Sequence, residues 1–248
     1  MSEQDIIERT QRFLEQQREL FGDFSASLTP ETQDISTPPT STDQPDIKPV
    51  PTLSQKEQLA ACSTLEELRE FCEQSDKLRT DLPNTNLVFG VGNSQADLMI
   101  IGEAPGEQED KQGEPFVGAA GQLLDKIMAA IQFTRDHIYI ANILKHRPPN
   151  NRDPKPEERQ RSLPFLIRQI ELVNPKLILC VGKVSATTLL GRDSTLKNMR
   201  QKFHPFMGRE LMVTYHPAAL LRNPQWKRPT WEDVQQLKAR YDELGGTP

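Results

Sequence analysis

Three short, nearly unbroken apolar runs set the limits on this fold: Asp97–Gly102 (DLMIIG), His137–Ile143 (HIYIANI) and Lys176–Gly182 (KLILCVG). Each reads as a buried strand, and each is followed by a stretch with helical apolar spacing. Helices are expected at Gly121–Ile131 (GQLLDKIMAAI), Pro156–Val173, Val184–Leu190 and Trp231–Leu244, and a further strand at Leu211–Tyr215. A strand that is apolar on both faces must be covered on both. The alternation therefore predicts an α/β domain, three-layer α/β/α with a short, mostly parallel central sheet. In such sheets ligands sit beyond the carboxyl ends of the strands.

The rest of the chain is less compact in character. Only 35% of the 248 residues are hydrophobic and 20 are proline. Residues 27–54, rich in Ser, Thr, Pro, Gln and Asp, cannot bury enough apolar surface to offset their ordering entropy and are expected to form a disordered linker. Ahead of it, residues 1–26 contain a helical pattern over 5–21, with Ile6/Ile7, Phe13/Leu14 and Leu20/Phe21 seven apart. The organisation expected is an N-terminal helix, a linker, and one domain over 55–248. The tethered helix is a candidate docking element for a protein partner. No apolar run approaches a membrane span, and the acidic, polar start is not a secretory signal. Cys62, Cys72 and Cys180 have no disulfide-framework spacing. A cytoplasmic monomer is expected.

The net charge of −5 argues against nucleic acid until its distribution is considered. Residues 1–57 hold 11 acids and 5 bases, a net of −6, whereas 58–248 hold 24 acids and 25 bases, a net of +1. Bases cluster at Lys145, Arg147, Arg152, Lys155, Arg159 and Arg161, and again at Lys197, Arg200, Lys202 and Arg209. A near-neutral domain with local basic patches can hold phosphates.

The strand ends carry unusual polar residues. One is followed by Glu103, Ala104 and Gly106, then Glu109, Asp110 and Phe116; another ends at Asn142; the last meets His216. In a parallel sheet Glu103, Asn142 and His216 converge on one rim. An amide offers a donor beside an acceptor, which suits the edge of a pyrimidine. Phe116, on a Gly-flanked loop, could stack on a base or pack in the core. His216 could donate to an oxygen that gains charge as a base leaves. Glu103 or Glu109 could hold water or stabilise a cationic sugar. No phosphate-loop, dinucleotide or metal-ligand pattern competes for this rim.

Between Val88 and Leu237 the chain resembles the family 4 uracil-DNA glycosylases. The shared motifs are Gly102-Glu103-Ala104-Pro105-Gly106, Glu109-Asp110, the run from Gly113 to Leu124, Ala141 to Lys145, Arg147 to Arg152 with Pro154, and His216 to Pro224. The resemblance implies an enzyme that flips uracil from DNA and cleaves its N-glycosidic bond. Phe116 would stack on uracil beside Ala104, Asn142 would read its edge, and His216 would stabilise charge at O2. Glu109 would crowd C5 and so reject thymine, and Glu103 would sit in the water-activating motif. Ala104 occupies the place of the Asp that the best-known branch uses there, so departure of uracilate should carry most of the barrier. Leu221 and Arg222, on the Leu220-Leu221-Arg222 wedge, would fill the gap left by the flipped base, and Lys145, Arg147 and Arg152 would meet phosphates.

The family usually holds an iron–sulfur cluster on four cysteines. Those positions read Cys72, Ser75, His146 and Ser162 here, and clusters rest largely on thiolates, so no metal or other cofactor is expected. Between His146 and Ser162 there is no second His of the kind used to trap DNA covalently, so turnover without a covalent intermediate is expected. Two other readings remain open at this stage: an inactive protein that binds uracil or DNA, and a glycosylase for hypoxanthine or xanthine.

Overall fold

The structure, a computed structural model, describes residues 54–246. The expected N-terminal helix and all but the last residue of the expected linker lie outside the described residues. Ser54 already belongs to the domain. It caps α1 (Gln55–Ala61) by accepting from the Glu57 N–H, and Glu57 accepts from Ser54 in return. Thr64 and Glu67 open α2 (Leu65–Glu73) with the same reciprocal box.

The strands are β1 (Val91–Gly92), β2 (Leu98–Gly102), β3 (Ile138–Asn142), β4 (Leu177–Val181), β5 (His204–Phe206) and β6 (Arg209–Thr214). They form one sheet in the order β1-β3-β2-β4-β6-β5. The four inner strands are parallel and the two edges antiparallel. β2, β3 and β4 fall within a residue of the expected runs at each end. The edge strands, two and three residues long, carry too little apolar pattern to be read from sequence.

The helices that follow are α3 (Glu107–Gln112), α4 (Ala119–Ala130), α5 (Pro156–Val173), α6 (Lys183–Leu190), α7 (Leu196–Met199), α8 (Pro217–Arg222) and α9 (Lys227–Glu243). α9 starts four residues before the expected Trp231. Pro229 lies in its first turn, where a missing N–H breaks no intrahelical bond.

Every residue of β2, β3 and β4 is buried, and alternate side chains serve opposite layers. Met99, Ile101, Tyr139, Ala141, Ile178 and Cys180 pack with Leu166 and Ile170 of α5 and Ala186 of α6. Leu98, Ile100, Ile138, Ile140, Leu177 and Leu179 pack with Leu124 and Met128 of α4 and Val234 and Leu237 of α9. The three-layer expectation is met. A smaller cluster joins α1 and α2 to α5 through Leu59, Leu68, Cys72, Phe89 and Phe165. At about 1.5–3 kcal/mol per buried large side chain, it fixes this first segment against the domain.

From β2 the chain moves to β3 on one side, then crosses to β4 on the other. The crevice beyond the carboxyl end of β2 is thus the switch point of the sheet.

Candidate active site

A cavity of about 360 Å³ opens at that switch point. It is lined by Glu103, Ala104, Glu109, Phe116, Asn142, His216 and Arg222, together with Asn151, Arg152 and Asp153. The structure therefore gathers residues from three strand ends and two loops, as the sequence pattern anticipated. Its volume is in the range of small-molecule sites.

Register places Gly102 opposite Asn142. A Cβ on Gly102 would lie 2.3 Å from Asn142 Oδ1 and 2.6 Å from Phe116 Cζ, so only glycine lets both side chains enter the cavity here. Asn142 is 2% exposed, and its side-chain amide borders the cavity with no protein hydrogen bond among the described residues. Buried polar groups are nearly always paired. An amide left open at a cavity wall keeps one donor and one acceptor free to bond.

Phe116 is held from several directions. Its backbone is in the left-handed region (φ 55°), a conformation that costs a non-glycine residue energy. Arg135 donates to the Phe116 carbonyl and ion-pairs with Asp125 at 3.0 Å. A Cβ on Gly121 would fall 1.7 Å from the same carbonyl oxygen. Glu109 ties the loop across: one oxygen accepts from the N–H groups of Val117 (3.0 Å) and Gly118 (2.9 Å), the other from Gly106 N–H at 3.1 Å. The structural part of Glu109 is thus to brace the loop that carries Phe116. Arg135 was not anticipated, since a lone arginine in a turn gives no sequence signal.

The Phe116 ring stacks on His216 with centroids 5.6 Å apart. His216 Nδ1 accepts from the Ala218 N–H at 3.1 Å, capping α8. The one proton of the neutral ring therefore sits on Nε2. Burial first, and then the nearby Arg222, hold the imidazole down to about 4, so it is neutral near pH 7. Behind it, the Tyr215 ring is sandwiched between Trp226 (4.8 Å) and the Arg200 guanidinium (4.3 Å). Arg200 is paired with the buried Asp233 at 2.7 Å, and Asp233 also accepts from Thr214 Oγ1 at 2.6 Å. Residues 214–216 are fixed as a unit.

Glu103 also lines the cavity. Burial, then the charge of Asp153, push its carboxyl up to about 7. Leu221, 49% exposed, projects from α8 beside Arg222.

The basic residues fall into buried and surface sets. Lys145 was expected to meet phosphates, but it is 0% exposed. Its ammonium donates to Phe89 O (3.0 Å) and Gln169 Oε1 (2.6 Å), and burial lowers it to about 8. It cannot reach DNA. Arg209 is bonded to Asn174 and Met207, and Arg200 braces Tyr215. Arg147 donates to Asn151 Oδ1 at 2.7 Å and lies 3.7 Å from Glu107. Arg152 remains on the cavity rim, gripped by Glu158. Asn151 and Asp153, not singled out from sequence, share that rim. The signal was the Asn150-Asn151 pair, both left-handed in the structure.

A second polar group lies beyond β3. Cys72 is fully buried in the α1–α2 cluster, and burial pushes its thiol up to about 12. His146 Nδ1 is 3.0 Å from Thr85 Oγ1, and Ser162 donates to Ile143 O at 2.6 Å. The chain has three cysteines, and among the described residues no group of three or more His, Cys, Asp or Glu side chains is gathered for a metal.

The sequence pattern of the Uracil DNA glycosylase superfamily matches residues 89–236. The chain is 40% identical over 174 residues to a type-4 uracil-DNA glycosylase of Archaeoglobus fulgidus, covering 67% of this chain and 86% of that one. It is 42% identical over 162 residues to one from Saccharolobus solfataricus, covering 62% and 75%. A third, from Thermotoga maritima, is 38% identical over 190 residues, covering 73% and 99%.

Proposed function

The chain belongs to the uracil-DNA glycosylase superfamily, in its type-4 branch, and on that premise we propose that it flips uracil out of DNA and hydrolyses its N-glycosidic bond, leaving an abasic site. The observation that carries this reading is the unpartnered Asn142 amide, open to the cavity beside a rigidly held Phe116 ring and a neutral His216.

In this reading the flipped uracil stacks on Phe116, and Asn142 supplies one donor and one acceptor to its edge. As the C1′–N1 bond breaks, the electron pair passes to the base, and charge grows on O2. His216 Nε2–H donates to that oxygen. Being neutral beforehand, the ring acts as a fixed dipole, which is the preorganised kind of stabilisation. Water then bonds to C1′, and its proton passes to the uracilate, which leaves as neutral uracil. Glu103, ionised above about pH 7, is the group on the wall able to orient that water and offset positive charge on the sugar. Ala104 offers no carboxylate, so base departure dominates the barrier. Glu109 holds the loop crowding C5, where thymine carries its methyl. Leu221 and Arg222 fill the vacated stack, at an extrusion cost of a few kcal/mol. Arg147 and Arg152 attend the phosphates.

The type-4 resemblance implies an iron–sulfur cluster, and the residues present do not fit one. A single thiol stands at Cys72, raised rather than lowered in pKa, and the Ser162 hydroxyl and His146 Nδ1 are engaged with protein groups. The protein is read as working without the cluster. It would act as a monomer on DNA in the cytoplasm; its unpaired buried thiols fit a reducing compartment. Among the described residues no helix is long and apolar enough to cross a membrane.

The test is release of uracil from an oligonucleotide holding a single uracil, beside thymine and hypoxanthine controls, with iron measured on the same anaerobic preparation. Release of uracil alone, falling by about 100-fold or more in Asn142→Ala, is expected. Unchanged release by that variant would remove Asn142 from recognition, and stoichiometric iron would overturn the cluster-free reading.

A further inference from the structure

Glu158 is buried at the start of α5, its side chain 3% exposed, and it grips Arg152 with both oxygens, at 2.7 and 2.8 Å. The Lys155 N–H donates to the same carboxylate at 2.8 Å. The guanidinium is thus aimed by a group below the surface. Its remaining Nη1 bond goes to Asp153 O (3.0 Å), while Nη2 points outward to Asp81 Oδ2 at 3.2 Å. Lys155 Nζ reaches that same Asp81 oxygen at 2.5 Å. One carboxylate oxygen, contributed from 74 residues away in sequence, is therefore clamped between two cations.

We propose that Arg152 and Lys155 form a clamp for one backbone phosphate of DNA, and that Asp81 is an intramolecular stand-in that DNA displaces. The inference rests on the reading of the protein as acting on DNA and adds a site and a competitor to it. Three observations carry it. The clamped oxygen of Asp81 is shared between an ammonium and one edge of a guanidinium, an arrangement that suits a phosphodiester oxygen equally well. The ion pairs are on the surface, with Asp81 59% and Lys155 51% exposed, so displacing the carboxylate costs little. The clamp also lies on the cavity rim through Arg152, where the sugar–phosphate chain of a nucleotide with its base in the cavity has to pass. With Asp81 in place, the two cations are balanced by two carboxylates. With Asp81 displaced, the site carries one net positive charge, which a phosphodiester neutralises.

A structural ion pair and a stand-in make opposite predictions. Affinity of the full chain for an oligonucleotide carrying a tetrahydrofuran abasic analogue is measured over a salt series for wild type, Asp81→Asn, Lys155→Gln and the double variant. Asp81→Asn should tighten binding about threefold to tenfold, the scale of an exposed ion pair. Lys155→Gln should weaken it and lower the slope of log K against log salt by about one. In the Lys155→Gln background most of the Asp81→Asn gain should disappear. An equal gain in both backgrounds would mean that Asp81 acts only through long-range charge, and the clamp would be rejected. Weaker or unchanged binding by Asp81→Asn would also reject it, and a lowered Tm alongside would identify Asp81 as an anchor of its loop. Uracil release by the wild type is assayed in parallel. Its failure would count against the function while the affinity ratios still judge the clamp.

Discussion

Asn142 and His146 stand four residues apart at and just beyond the end of β3, yet their surroundings follow opposite plans. Around Asn142 the amide is left unpaired, the facing Phe116 is held in a left-handed backbone, and Gly102 gives up its side chain to make room. Around His146 several polar groups are engaged with protein: its Nδ1 with Thr85, Ser162 with Ile143 O, Lys145 with Phe89 O and Gln169. An unpaired polar group at a cavity wall forfeits part of the roughly 1–3 kcal/mol that a fully buried one costs, and a ligand that bonds it recovers that energy. The difference teaches that pairing, rather than residue type, separates a ligand-facing group from a structural one. Lys145 and Arg152 repeat the lesson among the bases: one is sealed into the core, the other aimed outward by a buried carboxylate.

The sharpest way to break the comparison is to close the open pocket. Gly102→Ala introduces a methyl group 2.3 Å from Asn142 Oδ1 and 2.6 Å from the Phe116 ring. Uracil release is expected to fall about 100-fold or more, since displacement of site groups by about 1 Å is enough for that. A variant that keeps its activity would show that the pocket is not so tightly set. On the sealed side, Lys145→Met leaves Gln169 Oε1 unpaired, while Phe89 O keeps its bond from Gln169 Nε2. Denaturant titration should show a loss of about 1 kcal/mol, and the salt slope of DNA binding should not change. A slope reduced by about one would return Lys145 to the DNA face.

The smallest effect concerns Glu103, whose carboxyl is raised from 4.5 to about 7 by burial and by Asp153. Folding favours its neutral form. That contribution is complete below the unfolded value and is lost as pH rises through about 7. Glu103→Gln should therefore raise Tm at pH 8 by a few °C and change it little at pH 5. Equal shifts at both would show that this carboxyl does not titrate between them. In the wild type, kcat/KM should rise as pH passes upward through about 7.

Much of this was legible in the sequence. β2, β3 and β4 were found within a residue because strands buried on both faces are continuously apolar, and no surface pattern blurs their ends. Glu103, Asn142 and His216 were expected to meet because a parallel sheet brings its carboxyl ends together. The basic clusters were misleading for a complementary reason. A lysine in sequence carries no mark of its partner, and Lys145 was assigned to phosphates although Gln169, 24 residues on, holds it inside. Likewise nothing near Arg200 announces Asp233, 33 positions away. The brace formed by Glu109, Arg135 and Gly121 around Phe116 was equally hidden.

The sequence by itself determined the layers, the strand interiors and the set of polar residues delivered to one rim. These follow from hydrophobic periodicity, which is written between neighbours along the chain. Only the tertiary structure decided which of the polar residues are satisfied and which stay open: Asn142 free, Lys145 sealed, Asp81 lodged between Arg152 and Lys155. Pairing is made between residues tens of positions apart, and its cost or gain depends on burial and on distances of a few tenths of an ångström, which no local pattern encodes.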